Sequence, residues 1–267
     1  MILSEWLEVW LTTYKIPYLK LSSINRINTA LKNHIPLWLK NKSITDITVM
    51  DLDKSLSEIE LSRTRKYCYY ILHNSLYRAY CLGFIKDNVA QKMLLVKHKQ
   101  RRGKALNKTE QVKFLKAIEK SPYKNAFKFL LFSGVRRGEL ERLEYKDVYE
   151  LDNLILIRGT KTETSERYII LTNELKEIIR EQREVHPFAN VIFPYPADTL
   201  THHFKKYCPG HKLHDLRHTF ITRCAESGIN INVTQNLVGH KTLNTTLAIY
   251  THISQEFLKE EFKKFKI

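Results

Sequence analysis

The feature that most constrains the fold is a break in the hydrophobic pattern after the first third of the chain. Residues 97–104, Lys-His-Lys-Gln-Arg-Arg-Gly-Lys, contain no apolar side chain and therefore cannot contribute to a core. Apolar residues recur at helical spacing on both sides of this stretch. Because 267 residues are enough for two modest cores, we predict domains at 1–96 and 105–267, joined by a linker at 97–104.

The N-terminal domain is predicted to contain four helices. Apolar residues recur at helical spacing from Trp6 to Leu11 and again from Ile24 to Trp38, which favours one helix over each segment. Thr48 and Asp51 have the outline of a capping box and mark the start of a third helix. The other predicted N-caps are Ser4, Ser22 or Ser23, and Ser62.

The C-terminal domain is predicted to be mainly helical with a small antiparallel sheet. The aliphatic runs 154–157 and 168–171 are separated by polar residues, a pattern typical of a β-hairpin. Helix starts are expected at Thr109 and at Ser121, and Gly134 breaks the chain before Arg136.

The charge is strongly positive and is spread over the whole chain. Residues 1–100 hold 15 Lys or Arg against 8 Asp or Glu, and residues 101–267 hold 29 against 20. A formal net charge of +16 favours a polyanion, and nucleic acid is the leading candidate. Two basic halves suggest a clamp around a duplex, although a lysine-rich surface can also serve solubility.

The predicted fourth helix mixes tyrosines with basic residues. Its tyrosines could line a nucleic-acid surface, or Tyr67, Tyr70 and Tyr77 could belong to the core with their hydroxyl groups at its rim. The basic residues are the stronger candidates for phosphate contacts, and the linker is expected to lie on DNA or to be a solvated connector. The predicted DNA-binding residues are Arg63, Arg65, Lys66, Lys97, Lys99, Arg101 and Arg102.

The sequence argues against export, a membrane span and a metal site. It has neither a signal-peptide pattern nor an uninterrupted run of about 18 apolar residues, and its four cysteines form no Cys-x-x-Cys pair. We therefore expect a cytoplasmic protein. A zinc site in the histidine-rich segment 202–218 is disfavoured, because this segment lacks a His-Glu-x-x-His motif and Arg217 would add a cation beside the ion. The histidines and the cysteine that lie close together in this segment are His202, His203, Cys208, His211, His214 and His218.

Several short motifs that are weak alone occur together in one order. A tyrosine needs activation, because a phenol with a pKa near 10 is a poor nucleophile at neutral pH. Arginines and histidines aimed at a phosphate would provide an electrophilic target. The positions are Arg136 with Glu139, Lys161, His214 with Arg217, Gly239-His240 and Tyr250.

In this order and spacing, the set resembles the tyrosine recombinase or phage integrase family. The resemblance covers nearly the whole chain and implies a helical, SAM-like core-binding domain and a catalytic domain that together form a C-shaped clamp on DNA. It also implies that Tyr250 attacks a DNA phosphodiester, giving a 3′-phosphotyrosyl bond, and that no metal, ATP or other cofactor is needed. Double-stranded DNA with specific core sites is the expected partner.

The same resemblance assigns a role to each remaining position. Lys161 would protonate the leaving 5′-oxygen, and His214 would assist proton movement at Tyr250. Glu139, which follows Arg136 by one helical turn, would orient the site, whereas Asp215 and His218 are interpreted as structural. The non-bridging phosphate oxygens would be held by Arg136, Arg217 and His240.

Several functions remain open at this point. The first is an integrase that inserts or excises a phage or mobile element through a Holliday junction, with an accessory directionality factor as a further expected partner. Within the family the alternatives are a chromosome- or plasmid-dimer resolvase and an inversion recombinase. From other classes come a catalytically silent DNA-binding regulator and a type IB topoisomerase.

The C-terminal tail is expected to connect subunits. Residues 251–267 carry apolar side chains at helical spacing, and one apolar face of this kind needs a partner. We predict a homotetramer in which this tail docks on a neighbouring subunit, as tails do in the resembled family. The alternative is that the tail packs on its own domain.

Overall fold

The computed structural model divides the chain into two units. They comprise Met1–Arg101 and Arg102–Ile267, and each has its own hydrophobic core. No helix among the described residues is both long enough and apolar enough to cross a membrane. The residues that the structure describes are 1–94, 103–159, 166–239 and 247.

The described part of the N-terminal unit is helical. Trp6 lies at the centre of its core, fully buried, and its indole Nε1 donates a hydrogen bond to the carbonyl oxygen of Ser75 at 3.0 Å. This bond ties the first helix to the last one, because a buried indole N–H requires an acceptor. The helices are α1 (Leu3–Tyr14), α2 (Leu21–His34), α3 (Leu37–Lys40), α4 (Val49–Ser57) and α5 (Ser62–Cys81), with 3-10 turns at Ile16–Tyr18 and Val89–Lys92.

The structure corrects two details of the predicted helices. The helix expected to run through Trp38 ends at His34, because Pro36 cannot continue it and instead caps the short α3. The Thr48 cap of α4 is confirmed, since its hydroxyl group accepts a hydrogen bond from the Asp51 N–H. The other predicted N-caps are wrong, because the residues in those positions are Ile2, Lys20 and Leu61.

The buried face of α5 also differs from the face that we considered as core. Tyr69 is buried with Ile71, while Tyr70 and Tyr77 are exposed. Tyr67 is partly buried and packs against the core, so the core interpretation is confirmed for Tyr67 and is wrong for Tyr70 and Tyr77. The exposed side of α5 therefore carries tyrosines among basic residues.

The C-terminal unit combines helices with a three-stranded antiparallel sheet. This agrees with the predicted fold class, mainly helical with a small antiparallel sheet. The strands are β1 (Val148–Tyr149), β2 (Leu154–Ile157) and β3 (Arg167–Ile170). The sheet order is β1-β2-β3, with Ile155 opposite Ile169 and Ile157 opposite Arg167. The edge strand β1 was not predicted, because two residues carry no readable alternation.

The helices of this unit surround a buried central helix that positions the candidate site. This helix, α7 (Lys124–Ser133), buries Phe127, Leu130 and Leu131. It packs against α9 (Asn173–Val185) and α11 (Asp215–Glu226). The expected start at Thr109 is replaced by an Asn107 cap that bonds Glu110. The other helices are α6 (Lys108–Ala117), α8 (Arg137–Leu140), α9 (Asn173–Val185), α10 (Ala197–Tyr207), α11 (Asp215–Glu226) and α12 (Ile231–Val238), with a 3-10 turn at Tyr145–Asp147.

Candidate active site

A glycine turn at the end of α7 places Arg136 at the site. Gly134 has φ 64°, in the left-handed region that glycine adopts without strain. A Cβ at this position would lie 2.3 Å from Cδ1 of Phe220, so a larger residue would also clash with α11. The turn directs Arg136 into the N-cap position of α8, with Glu139 three residues later.

The carboxylate of Glu139 binds two arginines in a buried position. Its side chain is 1% exposed, and its oxygens accept hydrogen bonds from Arg136 Nη1 at 2.7 Å and from Arg136 N at 2.8 Å. Arg167 donates to both oxygens through Nη1 at 3.1 Å and Nη2 at 2.8 Å. Burial alone would raise the pKa of this carboxyl, but the two guanidinium groups outweigh burial and lower it to about 2. Glu139 is therefore ionised at neutral pH.

Arg217 is a buried cation that faces backbone carbonyl groups. It is 2% exposed and donates through Nη1 to the carbonyl oxygen of Gly134 at 2.6 Å and through Nη2 to that of Val238. Within the described residues, no carboxylate lies within ion-pair distance of it. Burial and the nearby Arg136 lower the pKa of Arg217. Because burying a charge without a counter-ion is costly, this position would be stabilised by an anion.

Three arginines meet at the C-terminal end of α12. The carbonyl oxygen of Leu237 accepts from Arg167 Nε at 2.6 Å, that of Val238 accepts from Arg217, and that of Gly239 accepts from Arg136 Nη2 at 2.8 Å. The last carbonyl groups of a helix lack intrahelical partners and lie at the negative end of its dipole, so cations are favoured there. Successive carbonyl groups thus hold arginines from three distant segments.

Two histidines lie beside the arginines at the start of α11. His214 occupies the N-cap position, and its ring meets that of His218 edge to face, with centroids 5.0 Å apart. Partial burial, His218 and the neighbouring Arg217 lower the pKa of His214, although the residue remains exposed to solvent. Its imidazole is therefore neutral near pH 7, and the same shift makes it a weaker base than an ordinary histidine.

Asp215 stabilises the start of the same helix. Its carboxylate accepts hydrogen bonds from the Lys212 N–H at 2.9 Å and the Lys104 N–H at 3.3 Å. The residue thereby connects the segment before α6 to α11. These contacts are those of a structural residue.

A cavity of about 460 Å³ opens beside this group. His214 and Arg217 line one part of it, and Lys205 and Lys212 line another. Among the described residues, no three His, Cys, Asp or Glu side chains form a group that could hold a metal ion. The charged side chains that line the cavity are all lysine or arginine, and this chemistry suits a phosphate-bearing ligand.

Three of the predicted catalytic residues lie outside the described part of the chain. They are Lys161, His240 and Tyr250. Lys161 belongs to the connection between β2 and β3, and His240 directly follows Gly239 in the chain. The roles of all three stay predictions.

The predicted DNA-binding residues differ in their exposure and in their contacts. Arg63 is exposed on α5, and Lys66 lies over the ring of Tyr70, 5.9 Å from its centroid. The guanidinium of Arg65 instead donates to the carbonyl oxygen of Ile59 at 2.8 and 2.6 Å, which stabilises the connection between α4 and α5. The candidates that lie outside the described residues are Lys97, Lys99, Arg101 and Arg102.

The sequence interpretation did not include Arg167. A usable signal was present, because residues two apart on a strand point to the same face. Arg167 therefore shares a face with Ile169, which is buried in the sheet core. An arginine on the buried face of a strand needs a carboxylate partner, and Glu139 was available in sequence.

Comparisons with known proteins agree with this geometry. The model of the phage integrase family matches residues 104–256, and that of the phage integrase N-terminal SAM-like domain matches residues 2–59. Tyrosine recombinase XerA from Saccharolobus solfataricus is 33% identical over 183 residues, which make up 66% of this chain and 62% of that protein. The match thus spans less than two thirds of that relative.

Solved structures share the fold at low sequence identity. A lambda integrase dimer bound to a COC' core site has a TM-score of 0.81 at 20% identity, covering 94% of this chain and 77% of that one. A lambda integrase tetramer bound to a Holliday junction has a TM-score of 0.78 at 20% identity, with 91% and 78% covered. The agreement establishes a lambda integrase-like fold.

Proposed function

Because the chain belongs to the phage integrase family, whose model matches more than half of its residues, we propose that it is a site-specific DNA recombinase. The observation that carries the proposal is the arginine pair: Arg217 is buried without an ion-pair partner among the described residues, and Arg136 is held beside it by Glu139. A phosphate group would supply the missing negative charge.

In the proposed reaction, the phenolic oxygen of Tyr250 attacks a DNA phosphorus atom. The new O–P bond forms as the bond to the 5′-oxygen breaks, and Lys161 donates the proton that the leaving oxygen takes up. Burial and neighbouring cations lower the pKa of His214 in the free protein, and the negative charge of a bound phosphate would raise it again, so that His214 accepts the phenol proton. Attack by a 5′-hydroxyl on the phosphotyrosyl bond reverses these steps, so the energy of the cut bond is conserved without ATP.

The arginines act on the transition state. Two non-bridging oxygens gain negative charge as the phosphorus becomes pentacoordinate, and fixed guanidinium groups stabilise that charge without reorganising. Arg136 and Arg217, with His240, are proposed to bind these oxygens. Lysine cannot replace either arginine fully, because a guanidinium donates two parallel hydrogen bonds to a phosphate.

The proposed biological reaction is integration and excision of a phage or mobile element, acting on double-stranded DNA with specific core sites. The fold shared with lambda integrase supports this proposal. The second candidate is resolution of chromosome or plasmid dimers, because the chain is also similar to a tyrosine recombinase that is not named an integrase, XerA. Sequencing the DNA that is trapped covalently on the protein separates them: integration predicts junctions of an element, and resolution predicts one site in the chromosome or plasmid itself.

We further propose that recombination requires a homotetramer linked by the C-terminal tail. The apolar face of residues 251–267 and the tetrameric lambda integrase structure support this proposal. Deletion of residues 254–267 should abolish pairing of two sites while single-site binding persists. Full recombination by the shortened protein would contradict it.

The decisive experiment traps the covalent intermediate. A duplex nicked next to the cleavage site loses its short fragment after cutting, so a protein–DNA adduct accumulates. We expect an adduct from the native protein and none from Tyr250→Phe. Tyr149→Phe is the matched control, because it removes an exposed phenol from the same unit and should leave adduct formation unchanged. An equal adduct from Tyr250→Phe would exclude Tyr250 as the nucleophile.

A further inference from the structure

Arg167 directs its guanidinium entirely towards the protein. Its side chain is 9% exposed, Nε donates to the carbonyl oxygen of Leu237, and Nη1 and Nη2 donate to the two oxygens of Glu139. A planar fork bound to a carboxylate in this way has one orientation. Arg167 is thus fixed between β3 and the end of α12.

Arg136 shares the same carboxylate but has a different exposure. Its side chain is 35% exposed, its Nη1 bonds Glu139 and its Nη2 bonds the carbonyl oxygen of Gly239. The remaining guanidinium surface faces away from these acceptors and is open to a ligand. Arg136 can therefore meet a phosphate, whereas Arg167 cannot do so without leaving Glu139.

Glu139 alone cannot define the position of Arg136. Without Arg167, the carboxylate would be held only by Arg136 itself, through Nη1 and the backbone N–H, and its terminal torsion, which is broad in glutamate, would be less restricted. Arg167 occupies one position on each carboxylate oxygen and thereby fixes the plane of the group. The oxygen that receives Arg136 Nη1 is then fixed as well.

The end of α12 fits closely around Arg167. A Cβ at Gly239 would lie 3.0 Å from Nη1, 3.1 Å from Cδ and 3.2 Å from Cζ of Arg167. This close approach connects β3 to the residue that immediately precedes His240. Arg167 is therefore linked to the predicted catalytic residue Arg136 through Glu139, and it contacts the residue that precedes the predicted catalytic residue His240.

We propose that Arg167 is a positioning residue of the recombinase site, which orients Arg136 through Glu139 and holds the end of α12 against the β2–β3 hairpin. The inference rests on the proposed recombinase function. A merely structural arginine would contribute to stability but would not alter how Arg136 meets a phosphate. The two roles therefore give different results in cleavage assays.

The test compares cleavage of two nicked duplexes. One carries the natural scissile phosphate, and the other carries an uncharged methylphosphonate, which needs less stabilisation by arginine. In Arg167→Met, we expect the ratio of the two cleavage rates, phosphate over methylphosphonate, to fall about 100-fold, with kcat affected more than KM. Arg136→Ala should lower the same ratio, and the double variant should lower it no further.

Two further variants separate positioning from stability. Arg158→Met is the matched control, because Arg158 belongs to the same hairpin connection and pairs with the buried Asp147; it should lower stability without changing the ratio. Arg167→Lys keeps a positive charge beside Glu139 but not the fork, so we expect near-native stability with a ratio still reduced about 10-fold.

A spectroscopic measurement distinguishes failure of this inference from failure of the proposed function. Slow rotation of a held guanidinium separates its Nη signals in ¹⁵N NMR spectra. We expect the separated signals of Arg136 to merge in Arg167→Met and to persist in Arg158→Met. If the native protein forms no adduct, the recombinase proposal fails, but the spectra still show whether Arg167 holds the guanidinium of Arg136 in place. An unchanged rate ratio or unchanged Arg136 signals in Arg167→Met would overturn the positioning role.

Discussion

Asp51 in the N-terminal unit and Glu139 in the C-terminal unit occupy the same position in their helices, yet their surroundings differ. Each lies three residues after an N-cap and accepts a hydrogen bond from the N–H of that N-cap residue. Asp51 caps its own helix and forms an ion pair with Lys42. Glu139 joins Arg136 to Arg167, which is 28 residues away. A local sequence pattern therefore identifies the Thr48 cap but not the charge cluster built on Glu139.

The two carboxyl groups reach similar pKa values by different routes. The hydrogen bond from Lys42 is the main reason that the pKa of Asp51 is lowered to about 2, with the Thr48 contacts adding to it. Burial would raise the pKa of Glu139, and two guanidinium groups reverse that effect. A similar pKa thus describes a surface cap in one unit and a buried ion cluster in the other. Their removal should have unequal consequences.

The largest difference is expected from neutralising Glu139. Glu139→Gln leaves Arg136 and Arg167 without their carboxylate, and breaking a buried ion pair costs about 3–5 kcal/mol. Urea unfolding measures this loss, and cleavage should fall strongly because Arg136 is no longer held. A loss no larger than that of Asp51→Asn would show that the two sites are equivalent.

The pH dependence of stability gives the next effect. The ordinary pKa of a glutamate carboxyl is 4.5, and that of Glu139 in the folded state is about 2. Its contribution is complete above pH 4.5, declines below that pH, and is lost as pH falls through about 2. This shift corresponds to about 3 kcal/mol.

The measurement for this prediction is the difference in unfolding free energy between native protein and Glu139→Gln from pH 7 to pH 2. The difference should shrink only below about pH 4.5. A difference that stays constant over this range would contradict a lowered pKa.

Sequence alone predicts the local part of this comparison. The Thr48 cap, the mainly helical class and the small sheet follow from residue types and spacing within short windows. Glu139 could be linked to Arg136 because the two are near in sequence. The alternation of β3 indicates that Arg167 lies on the buried face, but which carboxylate it meets depends on how β3 packs beside α8 and α12. The strand β1 and the buried face of α5 were missed for related reasons, because pairing and packing decide them.

A glycine substitution tests whether the end of α12 supports the Glu139 cluster. Gly239 has φ 65°, and an added Cβ would press on Arg167. Gly239→Ala should cost about 2 kcal/mol and reduce cleavage. The control is Gly228→Ala, where φ is 72° but an added Cβ meets nothing within 4 Å. It should cost about 1 kcal/mol and leave cleavage unchanged. Equal cleavage by both variants would show that the end of α12 does not support the Glu139 cluster.

The smallest effect is expected at Asp51, where the carboxylate acts only within its own unit. Asp51→Asn removes the ion pair with Lys42 and weakens the hydrogen bonds from Thr48. Because Asp51 is 21% exposed and water can replace part of what is lost, the cost should be about 1 kcal/mol. Thermal unfolding measures this loss, and cleavage should be unchanged. A large loss of cleavage in Asp51→Asn would mean that the cap of α4 also supports the chemistry, and the contrast with Glu139 would then fail.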